Sequence, residues 1–321
     1  MLSRVADSLY WMSRNGERTE QNAHILSMQL IKMLESSEQE TAAQDDWETV
    51  LDICSSKEEF SFLYNSIQLD NMVDYLTFSK ENINSTVNTV SIVRENARIT
   101  RNHIPNELWE VWNEFYLALP KITQTVNCSL PDIHFFLNQI KKTSFTATGV
   151  IDASMARDLP YHFMKIGRWL ERAEKTARIL HVFYQKSKQA GETTTDDVAW
   201  RSALQFVNGA DTYFNRFSPI INPDCVIKFL VTDVSFPRSI RYCIDHIWGA
   251  IKKLENEKVS HYSWRMYALL DTMMTEFHED YLNSLAEEKM EDFLLQSLNR
   301  CTEFGKIFSE TYYLMERESI M

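Results

Sequence analysis

The chain has 321 residues, 44% hydrophobic and 24% charged, the composition of a folded globular protein long enough for two ordinary domains. Seven glycines and seven prolines are too few for the hairpins, bulges and βα turns of a sheet protein, so the expected class is all-α with long helices. A net charge of −12 without a long basic run argues against nucleic acid and anionic membrane as partners.

In chain order, Leu2, Val5, Leu9, Met12, Gly16, Ala23, Leu30 and Leu34 recur at helical spacing and predict a first helix over 3–34. A polar stretch, 35–46, ends in Asp45 and Asp46, placed to cap a helix at 47–54 that carries Trp47. A third helix begins near Ser85, and others fill 106–126 after Pro105 and 132–147 after Pro131. A long helix over 159–186 follows. Another polar stretch, 185–197, ends in Asp196 and Asp197 ahead of a Trp200 helix at 197–215. Asn222-Pro223-Asp224 marks a turn. A helix starts near Ser239, and helices at 261–284 and 286–315 complete the chain.

The two halves echo each other. Arg14-x-x-Glu17-Arg18-x-Glu20 returns as Arg168-x-x-Glu171-Arg172-x-Glu174, and Trp47, Ser85 and Phe136-Leu137 recur as Trp200, Ser239 and Phe293-Leu294. A period near 154 residues is far too long for a solenoid repeat and implies duplication of a whole helical bundle. The expected architecture is two packed bundles, 1–150 and 151–321, with a pseudo-twofold relation between them.

Each motif helix has a polar strip. On the first, Asp7, Arg14, Arg18 and Gln21 lie opposite the apolar stripe with Tyr10 and Glu17 beside them; on the second, Arg168, Glu171, Arg172 and Lys175 do. One reading is a solvated face of ion pairs, each worth about 0.2–0.5 kcal/mol. The sharper one is that the two helices meet or jointly line a cleft. Arg14, Arg18, Arg168 and Arg172 would then pair with Glu17 and Glu171 or hold a carboxylate or phosphate. A second basic row, Arg94, Arg98 and Arg101, has Arg238 and Arg241 as its counterpart after Phe236-Pro237. Arg14, Glu17, Arg18, Arg168, Glu171 and Arg172, with Arg94, Arg98, Arg101 and Arg238, are the candidate anion-binding set.

Other chemistry finds little support. The seven glycines stand far apart, so no phosphate loop, dinucleotide fingerprint or nucleophile elbow can be written. No histidine stands three residues after a glutamate, as di-iron bundles require. His24, four after Glu20, has Arg178 as its counterpart, and no metal or cofactor is expected. Cys243, Asp245 and His246 do not converge on one helix face, and no serine or cysteine carries an adjacent base. The tryptophans read as helix-contact fillers. Cys54, Cys128, Cys225, Cys243 and Cys301 are scattered and odd in number, as expected for reduced thiols in a cytoplasmic protein. No apolar run reaches the roughly 18 residues of a membrane helix, and the N-terminus lacks a signal-peptide core.

Together these segments resemble the alpha-E family of bacterial helical proteins, named for a Glu-Arg motif. The resemblance is carried by Met1 to Arg14 with Glu17-Arg18-Thr19-Glu20, by Arg94-Glu95-Asn96-Ala97-Arg98 followed by Glu107-Leu108-Trp109, by Gly167 to Glu174, and by Phe236-Pro237-Arg238-Ser239. It covers nearly the whole chain. The chain departs from the pattern at Asn82-Ile83-Asn84-Ser85, where a proline after the asparagine is expected, which should alter the helix start there.

The resemblance implies association with an ATP-grasp ligase, beside transglutaminase-like peptidases, and no catalytic residue is carried over with it. The favoured expectation is therefore a non-catalytic or substrate-presenting partner in an amide-bond-forming system. The alternative is an enzyme that holds a small carboxylate- or phosphate-bearing metabolite on the arginines. Homo-oligomerisation is compatible with either.

Overall fold

The computed structural model describes residues 3–35, 40–54, 57–125, 129–190, 195–217, 220–256 and 258–312. Among them every regular element is helical. The order is α1 (Ser3–Glu35), α2 (Glu40–Cys54), α3 (Lys57–Leu63), α4 (Leu69–Val73) running into a π-helical turn (Asp74–Phe78), α5 (Thr86–Ile99), α6 (Asn106–Thr125) and α7 (Leu130–Ser154). The chain continues with α8 (Leu159–Ala190), α9 (Thr195–Phe206), α10 (Ala210–Arg216), α11 (Pro223–Thr232), α12 (Ile240–Leu254), α13 (Trp264–Glu276), α14 (Glu279–Ser284) and α15 (Met290–Thr311). None of these helices is long and apolar enough to cross a membrane.

The chain forms two compact units. The described residues of one run 8–164, and those of the other are 3–7 with 165–312. In the first, α5 packs on α6 and α6 on α7, closing over Leu9, Trp47, Val93, Leu108, Trp112 and Phe136, all buried. In the second, α11 packs on α9 and α12, α12 on α13, and α13 on α15, around Trp200, Phe229, Ile247, Leu270 and Phe304. Each such side chain removed from water contributes about 1.5–3 kcal/mol. The described cysteines, Cys54, Cys225, Cys243 and Cys301, form no disulfide; Cys128 lies outside the described residues.

Several boundaries differ from the sequence reading. The double acids are not caps: α2 and α9 begin at Glu40 and Thr195, ahead of Asp45 and Asp196. The expected helix at 197–215 is two helices. Asn208 takes φ 52°, its N–H bonding the Gln205 carbonyl while the Gly209 N–H bonds that of Leu204. That is a Schellman ending with asparagine in the left-handed position. Gly209 then lets the Phe236 ring come close, since a Cβ there would lie 3.0 Å from its Cζ. The helix expected at 261–284 breaks at Phe277, after which the His278 imidazole caps α14 by accepting from the Asp280 N–H at 3.3 Å. α7 is longer than expected, with Ser129 as its N-cap.

Candidate functional site

The polar strip of α1 is not a solvated face. Asp7, Arg14, Glu17 and Gln21 are all buried, and burying charge is costly unless it is compensated locally. The Arg14 guanidinium donates to the Tyr10 hydroxyl at 3.1 Å and lies over the Tyr10 and Trp11 rings. Gln21 donates to the Glu17 carboxylate at 2.7 Å. Thr19 reaches Thr89 of α5 at 2.8 Å.

Arg18 reaches out to the turn before α5. Its guanidinium donates to Asn84 Oδ1 at 2.8 Å, and Asn22, one helical turn on, donates to the Asn84 carbonyl at 3.4 Å. The turn is also held from within. Asn82, 1% exposed, accepts the Asn84 N–H at 2.9 Å and donates to the Tyr75 carbonyl at 3.0 Å. Ser85 then caps α5 by accepting from the Asn88 N–H. The missing proline thus leaves the helix start where α12 has its own, directly after the capping serine, because asparagine side chains fix the turn instead.

The second motif helix repeats this grip inside its own unit. Arg172 donates to the Pro237 carbonyl at 3.4 Å, and Thr176, again four residues later, donates to the Arg238 carbonyl at 2.8 Å. Ser239 caps α12 by accepting from the Tyr242 N–H at 3.1 Å. Asp233 closes the turn from the other side, accepting the Ser235 and Phe236 N–H groups and pairing with Arg216 at 2.7 Å. Burial pushes its carboxyl up, but the Ser235 and Phe236 donors and Arg216 outweigh it and hold the pKa below the usual range.

Glu171 is buried, and Arg168 and Arg172 stack on Trp169 at 5.0 and 4.7 Å. Trp169 also meets Tyr242 and His246, whose rings stack at 4.0 Å. The His246 Nδ1 is 2.9 Å from the Tyr242 carbonyl, and burial, with Lys165 and Arg168 nearby, lowers its pKa. Asp245 turns to Arg241 at 3.2 Å and Cys243 is buried, so these three do not form a catalytic set.

Arg94 of α5 and Arg101, in the turn after it, lie over Trp109 of α6, while Arg98 turns to Glu95. Arg94 lies 5.3 Å from Trp109 and 5.2 Å from Tyr116, and its Nε donates to Asn113 at 3.2 Å. Arg101 covers the same indole at 5.5 Å, and Arg98 pairs with Glu95 at 2.5 Å.

No group of His, Cys, Asp or Glu among the described residues could hold a metal ion. A surface depression is lined by Arg241, Met274, Thr275, His278, Asp280 and Tyr281, but its Arg241 and His278 are engaged. Arg241 bonds Asp245 and the Met274 carbonyl, and the His278 Nδ1 accepts the Asp280 N–H. One pair escaped the sequence reading: Lys141 Nζ donates to Ser27 Oγ at 3.3 Å. Burial lowers the lysine pKa against the pull of Glu20, an arrangement reminiscent of a serine–lysine dyad. Ser27 is fully buried and out of a substrate's reach, and a separation of 114 residues gave no motif to find it by.

A search of curated proteins and one of solved structures find no match to the chain. A family model does match, over residues 1–313, and describes a predicted alpha-helical domain with a conserved ER motif. The Glu17-Arg18 and Glu171-Arg172 pairs fit that description, and the chain belongs to the Alpha-E family.

Proposed function

We propose that this chain is a non-catalytic helical component of a peptide- or amide-bond-forming system, working in the cytoplasm with an ATP-grasp ligase by binding it or presenting its substrate. The observation that carries the reading is where the Glu-Arg arginines go. Arg18 and Arg172 donate to the turns before α5 and α12 of their own units, beside buried glutamates. A site for a small anion would aim such groups at the ligand position rather than at the chain's own turns. The tie to a ligase comes from the family resemblance.

The test is to mix the purified full chain with an ATP-grasp ligase of the same organism, and to follow complex formation by light scattering and ATP turnover by phosphate release. A defined complex, with no turnover by the helical chain alone, is expected. Conversion of a carboxylate substrate by the chain alone would favour the enzyme reading and sink this one.

We also infer that the two units arose by duplication of one helical bundle. The support is a set of matching contacts. Phe60, Tyr64 and Tyr75 make a ring triad with centroids at 5.0, 5.2 and 5.9 Å. Tyr213, Phe217 and Phe229 make one at 4.9, 5.8 and 5.9 Å. Asn82 bonds the Tyr75 carbonyl where Phe236 stacks on Phe229. On this reading a polar bond in one unit and an aromatic stack in the other fill corresponding positions.

A further inference from the structure

We propose that the α5–α6 face bearing Arg94, Arg98, Arg101, Trp109 and Tyr116 docks a carboxylate-rich segment of a partner polypeptide. The inference deepens the partner-binding reading by naming a surface and a chemistry.

Three arginines share this face with one nearby acid. Glu95 serves both Arg94, at 3.6 Å, and Arg98, while Arg101 is exposed and has no carboxylate partner among the described residues. The exposed Glu107, Glu110 and Glu114 of α6 lie about 160°, 100° and 140° round the helix from Trp109, and none of them pairs with the three arginines. The face is therefore locally positive on a chain of charge −12. Screening over about 8 Å at physiological salt lets it act apart from the distant acids.

The arginines are also set in advance. Two rings and Asn113 hold Arg94, and the Trp109 indole supports Arg101. Little rotamer freedom is then lost when a carboxylate arrives. Guanidinium forks match carboxylates bidentately, and Trp, Tyr and Arg are the residues that dominate binding energies at interfaces.

Helix packing alone does not call for them. In the other unit α12 and α13 pack with Trp248 edge-on to Tyr267 at 5.9 Å. The Arg98 side chain is 56% exposed, so a core role does not explain it. Nucleic acid needs cations along a whole backbone, and three arginines on an acidic chain do not supply them.

The test uses the full chain and a fluorescein-labelled octapeptide of alternating Glu and Gly, read by fluorescence polarisation at low salt. Saturable binding is expected, weakened at least about tenfold by Arg98→Glu with Arg101→Glu while the helical circular dichroism stays intact. Arg265→Glu, at an exposed arginine in the other unit, should leave binding within about twofold. Arg101→Lys, which keeps the charge and loses the fork, should weaken it severalfold. The proposal is overturned if no saturable binding occurs, if the double reversal binds like the wild type, or if Arg265→Glu costs as much. An oligothymidylate that binds more tightly than the peptide through the same residues would also overturn it. A wild-type chain that ignores the peptide yet still forms the ligase complex would remove this surface and leave the partner reading standing.

Discussion

Arg18 donates to the side-chain oxygen of Asn84 at 2.8 Å across sixty-six residues of chain, joining the middle of α1 to the turn that launches α5. A hydrogen bond from a charged donor contributes about 1.5–3 kcal/mol, toward the lower end where solvent reaches it. Arg18→Met should therefore lower stability by about 1–2 kcal/mol. Denaturant melts of Arg18→Met, Asn84→Ala and the double variant should give a coupling above about 0.5 kcal/mol. Additive costs would show that the two side chains act independently.

The Thr176 hydroxyl makes the corresponding bond to the Arg238 carbonyl at 2.8 Å, from a side chain that is buried. Thr176→Val keeps the shape and strips the carbonyl of this donor, so a loss of about 1–2 kcal/mol is expected. The Asn22 bond is longer, 3.4 Å, and Asn22→Leu should cost less. Equal losses, measured by chemical denaturation, would count against this ranking.

Ser85 and Ser239 are fully buried caps. Replacing either with alanine should cost about 1 kcal/mol and lower the thermal midpoint by about 2–4 °C, with helical content unchanged at room temperature. Calorimetry of the two single variants decides it. Unchanged midpoints would mean that the caps add nothing beyond the packing around them.

Stability should fall in mild acid, with part of the fall owed to His246. Its pKa is lowered from 6.5, first by burial and then by Lys165 and Arg168, so in the fold the neutral ring is favoured. The unfolded chain then binds more protons than the native one once pH drops through 6.5. The stabilisation is complete above that pH and is lost as pH falls toward the folded value. His181, lowered by burial, acts in the same direction. In urea melts at about pH 7.5 and 5.5, His246→Phe should lose less stability over that interval than the wild type. An equal loss would take His246 out of the account.

Features written locally were the legible ones. Glycine scarcity announced helices, Ser85 and Ser239 announced helix starts, and Trp47 and Trp200 announced core positions, because each acts through its immediate neighbours. The Schellman ending at Asn208 was hidden, since asparagine there interrupts no apolar period. The break at Phe277 was hidden for the same reason. Whether the polar strip was solvated or enclosed stayed open in the sequence, because a helical wheel ranks faces only by hydropathy. Arg14 and Glu17 are buried with partners a turn away, Tyr10 and Gln21. The target of Arg18 lies on a turn that no periodicity reaches.

The central claim is that the Glu-Arg motif serves its own chain, each arginine holding the turn before a serine-capped helix. Hydrogen exchange read by mass spectrometry on the full-length Arg18→Met and Arg172→Met variants tests it most directly. Faster exchange is expected across 79–88 in the first and 233–242 in the second, each confined to its own unit. Unchanged protection in both turns would contradict the claim and return the motif to ligand binding.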